Sequence, residues 1–153
     1  VNQNKFLEYA KVFSYQYGTE EKSVVSSLAR GKDVLFDIDW QGVQQLRENK
    51  NLTQQLVTVF ILPPSITELS RRLRARASDS DESVKKRMKG ATKEISHWVN
   101  YDYVLVNEDF ELCFKNLCNI VEAERARRQR QTGLARFVDQ LSADAQDNLE
   151  KST

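Results

Sequence analysis

Three short apolar runs, at 33–37, 57–62 and 103–107, set the framework of the chain. Each is rich in β-branched or aromatic residues and bounded by polar ones, which predicts strands. None alternates cleanly between apolar and polar positions, as expected of strands covered on both faces in a parallel sheet. Between the runs the period becomes helical. After Pro63-Pro64-Ser65, a stop followed by a cap, Ile66, Leu69, Leu73 and Ala77 share one helix face. Val84, Met88, Ala91, Ile95 and Trp98 form a second one-sided stripe, with Ser80 or Asp81 as its cap. Phe110, Phe114, Leu117 and Val121 mark a long helix continuing into an arginine cluster. Strands alternating with helices predict α/β architecture with right-handed crossovers.

The beginning and end differ from this frame. Phe6, Tyr9, Phe13, Tyr15 and Tyr17 crowd the first 19 residues, where short antiparallel strands fit best, as a small β-rich lobe on the sheet. From about Ser142 the chain turns polar, and a frayed tail is expected.

At 153 residues one domain is expected, with room for a small lobe. The net charge of +1 gives no global attraction to polyanions. The charge is clustered instead, at Arg71, Arg72, Arg74 and Arg76 and again at Arg125, Arg127, Arg128 and Arg130. Aromatics are not interleaved with these arginines and no RNA-binding motif accompanies them, so nucleic acid is not an expected partner. No run approaches the ~18 apolar residues of a membrane helix, and no leader pattern opens the chain. A cytoplasmic protein without a membrane partner is expected. Cys113 and Cys118 lack CxxC spacing and read as buried structural thiols in a reducing compartment. His97 is the only histidine, too little for a histidine-based metal site or triad, and a structural or surface role is expected of it.

Three groups carry candidate chemistry. Asp37 and Asp39 stand two apart at the end of the first apolar run, on one face if that run is a strand. Carboxyl ends of strands are where open α/β sheets place ligands. Equally, Asp39 can cap a helix starting near Trp40 while Asp37 is a solvated strand end. The arginines from Arg71 to Arg76 precede a short polar loop, and Arg87 follows on the next helix. Such groups suit a mobile lid over a polyphosphate, or else a solvated basic face paired with Asp79, Asp81 and Glu82. Glu8, Tyr17 and Thr19 place a carboxylate, a phenol and a hydroxyl among aromatics. That set suits a purine, with guanine N1 and N2 donating to the carboxylate and O6 meeting the hydroxyl, or they are ordinary strand residues.

Taken together and in order, several segments resemble the guanylate kinase family, bacterial type. They are Phe6-Leu7-Glu8-Tyr9-Ala10, Tyr17-Gly18-Thr19, Asp37-Ile38-Asp39-Trp40-Gln41-Gly42, Phe60-Ile61-Leu62-Pro63-Pro64-Ser65, Arg72-Leu73-Arg74-Ala75-Arg76, Ser96-His97, Tyr101-Asp102-Tyr103 and Val106-Asn107-Glu108-Asp109-Phe110. The resemblance runs from about Phe6 to Arg130. It implies a P-loop-kinase-like parallel sheet flanked by helices, with a small β-rich GMP-binding lobe and a helical lid. It implies transfer of the γ-phosphoryl of ATP to GMP, giving GDP and ADP, with Mg²⁺ arriving with ATP rather than in a protein cage. It further implies that Glu8, Tyr17, Thr19 and Asp39 bind GMP. Arg76, Arg87 and Asn107 would bind ATP, and Arg76, Arg87, Asp37 and Asp39 would serve catalysis. The expected organisation is 1–32 for the lobe and its helix, 33–76 for core, 77–92 for lid, 93–141 for core and C-terminal helices, and 142–153 for a flexible tail. Self-association as a homo-oligomer is also compatible with the family.

One family feature is missing from the sequence. The phosphate-binding loop G-x-x-x-x-G-K-[ST] does not occur, and Gly31-Lys32 is rejected because Asp33 follows and Ser26 stands where the first glycine belongs. The expectation is that this loop and the first strand lie upstream of Val1, and that this chain alone is inactive. Ser14-Tyr15-Gln16, and Ala77 after Arg76, depart from the family pattern, and tuning rather than loss is expected. The alternative is a non-catalytic guanylate-kinase-like binding module.

Overall fold

The computed structural model describes residues 6–12, 15–50, 52–53, 55–75 and 81–151. Phe13, Ser14, Arg76, Ala77, Asp79 and Ser80 lie outside these. The chain divides into two units, Val1–Asn107 and Glu108–Thr153.

In the first unit, β1 (Phe6–Val12) and β2 (Tyr15–Glu20) form the expected antiparallel pair. Helix α1 (Glu21–Ala29) follows and is stopped by Gly31, whose φ of 71° is the left-handed conformation that favours glycine. The Lys32 N–H donates to Ser27 O at 3.1 Å and the Gly31 N–H to Leu28 O at 2.9 Å, the reverse-turn bonding of a Schellman helix end. Gly31-Lys32 therefore ends a helix, whereas a phosphate-binding loop opens one.

Helix α2 (Trp40–Glu48) is followed by β3 (Val59–Leu62), α3 (Ile66–Ala75), α4 (Asp81–Ile95), a 3₁₀ helix (Ser96–Asn100) and β4 (Tyr103–Val106). Strands β3 and β4 are parallel, from Val59 opposite Tyr103 to Leu62 opposite Val106. The Asn107 N–H donates to Leu62 O at 2.8 Å and extends the ladder by one rung. Leu7, Val24 and Leu46 make the buried core, with Leu28, Val34, Phe36, Ile38, Leu52 and Leu56 packed against it.

Several expectations are corrected. The run at 33–37 has no ladder partner among the described residues and is not a strand. It nevertheless alternates. Val34, Phe36 and Ile38 turn to the core, while Leu35 is 88% exposed and Asp37 is exposed. The parallel strands are not covered on both faces, since Ile61, Val104 and Val106 are exposed. The apolar stripe of α4 stops at Ile95. There the chain tightens to a 3₁₀ helix, whose shorter turn leaves Trp98 exposed and lets His97 stack on Trp40, centroids 3.9 Å apart.

In the second unit, α5 (Phe110–Ala126) is capped by Asp109, which accepts from the Leu112 N–H at 2.8 Å. It does not run on through the arginines. Glu124 is buried and accepts from Arg127 Nη1 at 3.2 Å and Arg130 Nε at 3.1 Å, so the chain turns back into a short 3₁₀ helix (Arg128–Arg130). Helix α6 (Leu134–Lys151) continues through Ser142, where a frayed tail is expected. Of the two free thiols, Cys113 is buried and Cys118 is exposed, against the expectation that both are buried.

Candidate functional site

The site begins with an irregularity in β1. Phe6 lies opposite Glu20 and Glu8 opposite Thr19, so the register shifts and one extra residue is accommodated between them. Such a bulge re-aims side chains. In a regular strand neighbours alternate between faces, yet Leu7 and Glu8 are both buried, at 6% and 2% exposure. Leu7 serves the core. Glu8 brings a carboxylate to the same side, where the Thr19 hydroxyl donates to its Oε1 at 2.6 Å. Tyr17, two positions before Thr19 on β2, is exposed.

The other wall is the first turn of α2. Asp39 is its N-cap: Oδ1 accepts from the Gln41 and Gly42 N–H groups at 3.0 and 3.2 Å, and Oδ2 from Gln41 Nε2 at 2.9 Å. The capping reading of Asp39 is thus correct, and it fixes the carboxylate on the helix turn that holds Gly42. A Cβ at Gly42 would sit 3.0 Å from Glu8 Oε2, so the glycine is what admits the second acid. Asp37 is exposed and makes no hydrogen bond or ion pair among the described residues.

Tyr101 borders Asp39. Burial pushes its phenol above the ordinary range, and the negative charge of Asp39 adds to this, while Arg47 opposes it. Its ring meets Phe60 edge-on at 4.8 Å. Behind it, Arg47 donates to Thr58 Oγ1 at 2.8 Å, and Asp102 Oδ2 accepts from Thr58 N and Oγ1 at 2.8 and 2.7 Å. This knot joins α2 to the starts of β3 and β4.

The basic residues divide. Arg71 and Arg72 are engaged by Glu68, at 2.7 and 2.6 Å. That pairing holds the Glu68 carboxyl well down, at about 2, chiefly through the Arg71 hydrogen bond and then that of Arg72. Arg87 is half-buried on α4, and Asn107 is half-buried just past the carboxyl end of β4. Glu8, Thr19 and Asp39 are therefore brought together around α2. Arg87 and Asn107 stand on separate elements, and Arg76 lies outside the described residues. Sequence reasoning gave no role to Gly42, Gln45, Glu68 or Tyr101. Only Glu68 carried a readable signal, as the fourth residue of Ser65-Ile66-Thr67-Glu68, a capping-box pattern.

The crystal structure of guanylate kinase from Anaplasma phagocytophilum matches this fold with a TM-score of 0.74 at 36% identity, covering 90% of this chain and 65% of that one. Fold and site define an α/β protein of the P-loop-kinase-like class. A family model described as guanylate kinase matches residues 1–124. The guanylate kinases of Nitrobacter hamburgensis and Zymomonas mobilis are 51% and 50% identical over 90% and 96% of this chain. The chain belongs to the guanylate kinase family. It spans 62% of the length of the Nitrobacter relative and 67% of that of the Zymomonas one.

Proposed function

We propose that this chain carries the GMP-recognising and lid parts of a guanylate kinase, which moves the γ-phosphoryl of ATP to GMP and yields GDP and ADP. The carrying observation is the buried Glu8 carboxylate with the Thr19 hydroxyl on it at 2.6 Å. A carboxylate accepts from guanine N1–H and N2–H together. With those donors on Glu8, the Thr19 hydroxyl turns to donate to O6. Adenine offers the opposite pattern and is rejected, because a buried acceptor pair would be left unmatched. The enzyme names of the relatives favour this reading over a non-catalytic binding module.

The remaining roles belong to the same proposal. Tyr17 holds the GMP phosphate. Arg76 and Arg87 neutralise ATP phosphates as the lid closes and excludes water. Asn107 lines the adenine side. Asp39 holds the α2 turn against GMP, and Asp37 faces the reacting phosphates. Phosphoryl transfer needs positioning and charge neutralisation above all, which these side chains can supply. Among the described residues no cluster of three or more His, Cys, Asp or Glu could hold a metal ion. A hydrated Mg²⁺ brought by the nucleotide fits that chemistry, with the exposed Asp37 carboxylate holding one of its waters. The ion would neutralise phosphate charge. No helix of the described residues is long and apolar enough to cross a membrane, and a cytoplasmic enzyme of purine nucleotide metabolism is proposed. Self-association belongs to the same proposal, with sedimentation velocity over a range of concentrations as its check.

The test is Glu8→Ala in the full-length protein. The expected result is a fall in kcat/KM for GMP on the order of 10⁴-fold, as for other sites built to bond a polar substrate edge. An unchanged KM for GMP sinks the guanine assignment.

A further inference from the structure

The bulge that buries Glu8 needs something to hold its register. A bulged strand paired along only one edge can slip, and a slip of one residue turns each side chain to the opposite face. Strand β1 pairs with β2 along one edge. On the other edge, Tyr9 turns its backbone toward α2. There the Tyr9 N–H donates to Gln45 Oε1 at 3.0 Å, and Gln45 Nε2 donates to Tyr9 O at 2.8 Å. Gln45 Nε2 also reaches Gln41 O at 3.3 Å, which ties the amide to its own helix. A single side-chain amide thus supplies the donor and the acceptor that a neighbouring strand would present. It does so at the residue next to Glu8.

We infer that Gln45 is a positioning residue for base recognition: its amide locks the bulged register of β1 on α2 and so keeps Glu8 facing Thr19 and Gly42. This rests on the guanine reading of Glu8. Gln45 does not touch the base. Its effect passes through Glu8, and that separates it from a residue that merely stabilises the fold.

The experiment titrates GMP and inosine monophosphate, which lacks the 2-amino group, into the full-length protein. The proteins compared are wild type, Gln45→Ala, Gln45→Met, Glu8→Ala and the two double variants. Gln45→Met keeps the helix packing and removes only the amide, and circular dichroism confirms that each variant is folded. The expected result is about a fivefold loss of GMP affinity in either Gln45 variant, the effect of exchanging such bonds for water. The preference for GMP over inosine monophosphate should shrink with it. Neither change should appear when Glu8 is already alanine, since the double-mutant cycle isolates the coupling. Equal losses with and without Glu8, or an unchanged preference, overturn the role of Gln45 alone. A wild type that does not distinguish the two nucleotides, or whose GMP affinity is indifferent to Glu8→Ala, overturns the guanine reading and this inference with it.

Discussion

At the residue scale, the chemistry depends on how closely two carboxylates approach one helix turn. Gly42→Ala tests this. The new methyl would meet Glu8 Oε2 at 3.0 Å and Ile38 Cδ1 at 3.1 Å. Overpacking of this kind costs about 1–3 kcal/mol, against which alanine returns at most about 1 kcal/mol of helix propensity. The expected outcome is a lower melting temperature together with weaker GMP binding, read by calorimetry. Tyr101 offers a second test. Its phenol is raised by burial and by Asp39. Asp39→Asn should bring its ionisation down part of the way, in ultraviolet titration against a Tyr101→Phe control. Because the folded value is raised, stability held below the ordinary tyrosine value of about 10 is lost as pH climbs past it. Glu8 and Thr19 stood out in the sequence because a carboxylate and a hydroxyl suit a guanine edge, and Asp39 because it could cap the helix at Trp40, which it does. Gly42 and Gln45 did not. Their roles depend on which strand residue faces α2, and a one-residue bulge leaves no periodic trace.

At the element scale, α3 shows local rules half obeyed. Ser65 caps it, accepting from the Glu68 N–H at 3.1 Å. Glu68 does not reach back to complete the box, because Arg71 and Arg72 take its carboxylate. With the Glu68 carboxyl at about 2 in the fold and an ordinary value of 4.5, its contribution is full above pH 4.5 and is lost as pH falls toward 2. Glu68→Gln should therefore flatten the acid limb of the stability curve, measured by urea unfolding at a series of pH values. An acid limb identical to wild type would refute the pairing. The sequence pattern located helix starts well and helix ends poorly, and among strands it failed at one run. Helix stripes are set by local burial, and α3 and α4 begin within a residue of where capping residues place them. The run at 33–37 has strand composition and strand-like alternation, yet strand status requires a ladder partner, which composition does not supply.

At the scale of the molecule, the resemblance carried the family and the fold class, while the division into Val1–Asn107 and Glu108–Thr153 was not visible in the pattern. The break between the units falls directly after the last ladder rung, where Asn107 bonds Leu62. The polar step Asn107-Glu108-Asp109 there reads as an ordinary strand-to-helix turn, which does not distinguish a break between units from any other turn. The reversal after α5 was hidden for a related reason. Arginines near a helix end read as favourable to that end, and only the burial of Glu124 shows that two of them fold back.

The knot of Thr58 and Asp102 joins residues 44 apart in sequence. The chain between them holds β3, which pairs with β4, and α3 and α4, and it also touches α2, where Lys93 lies over the Trp40 ring and His97 stacks on it. On the proposed function the lid is then a cassette that ends short of this contact. Residues 81–92 can be exchanged for those of another family member as one block, leaving Lys93, His97 and the Thr58–Asp102 anchor in place. The body's proton resonances at β1, β2 and α2 should then stay in place while nucleotide preference on the ATP side changes.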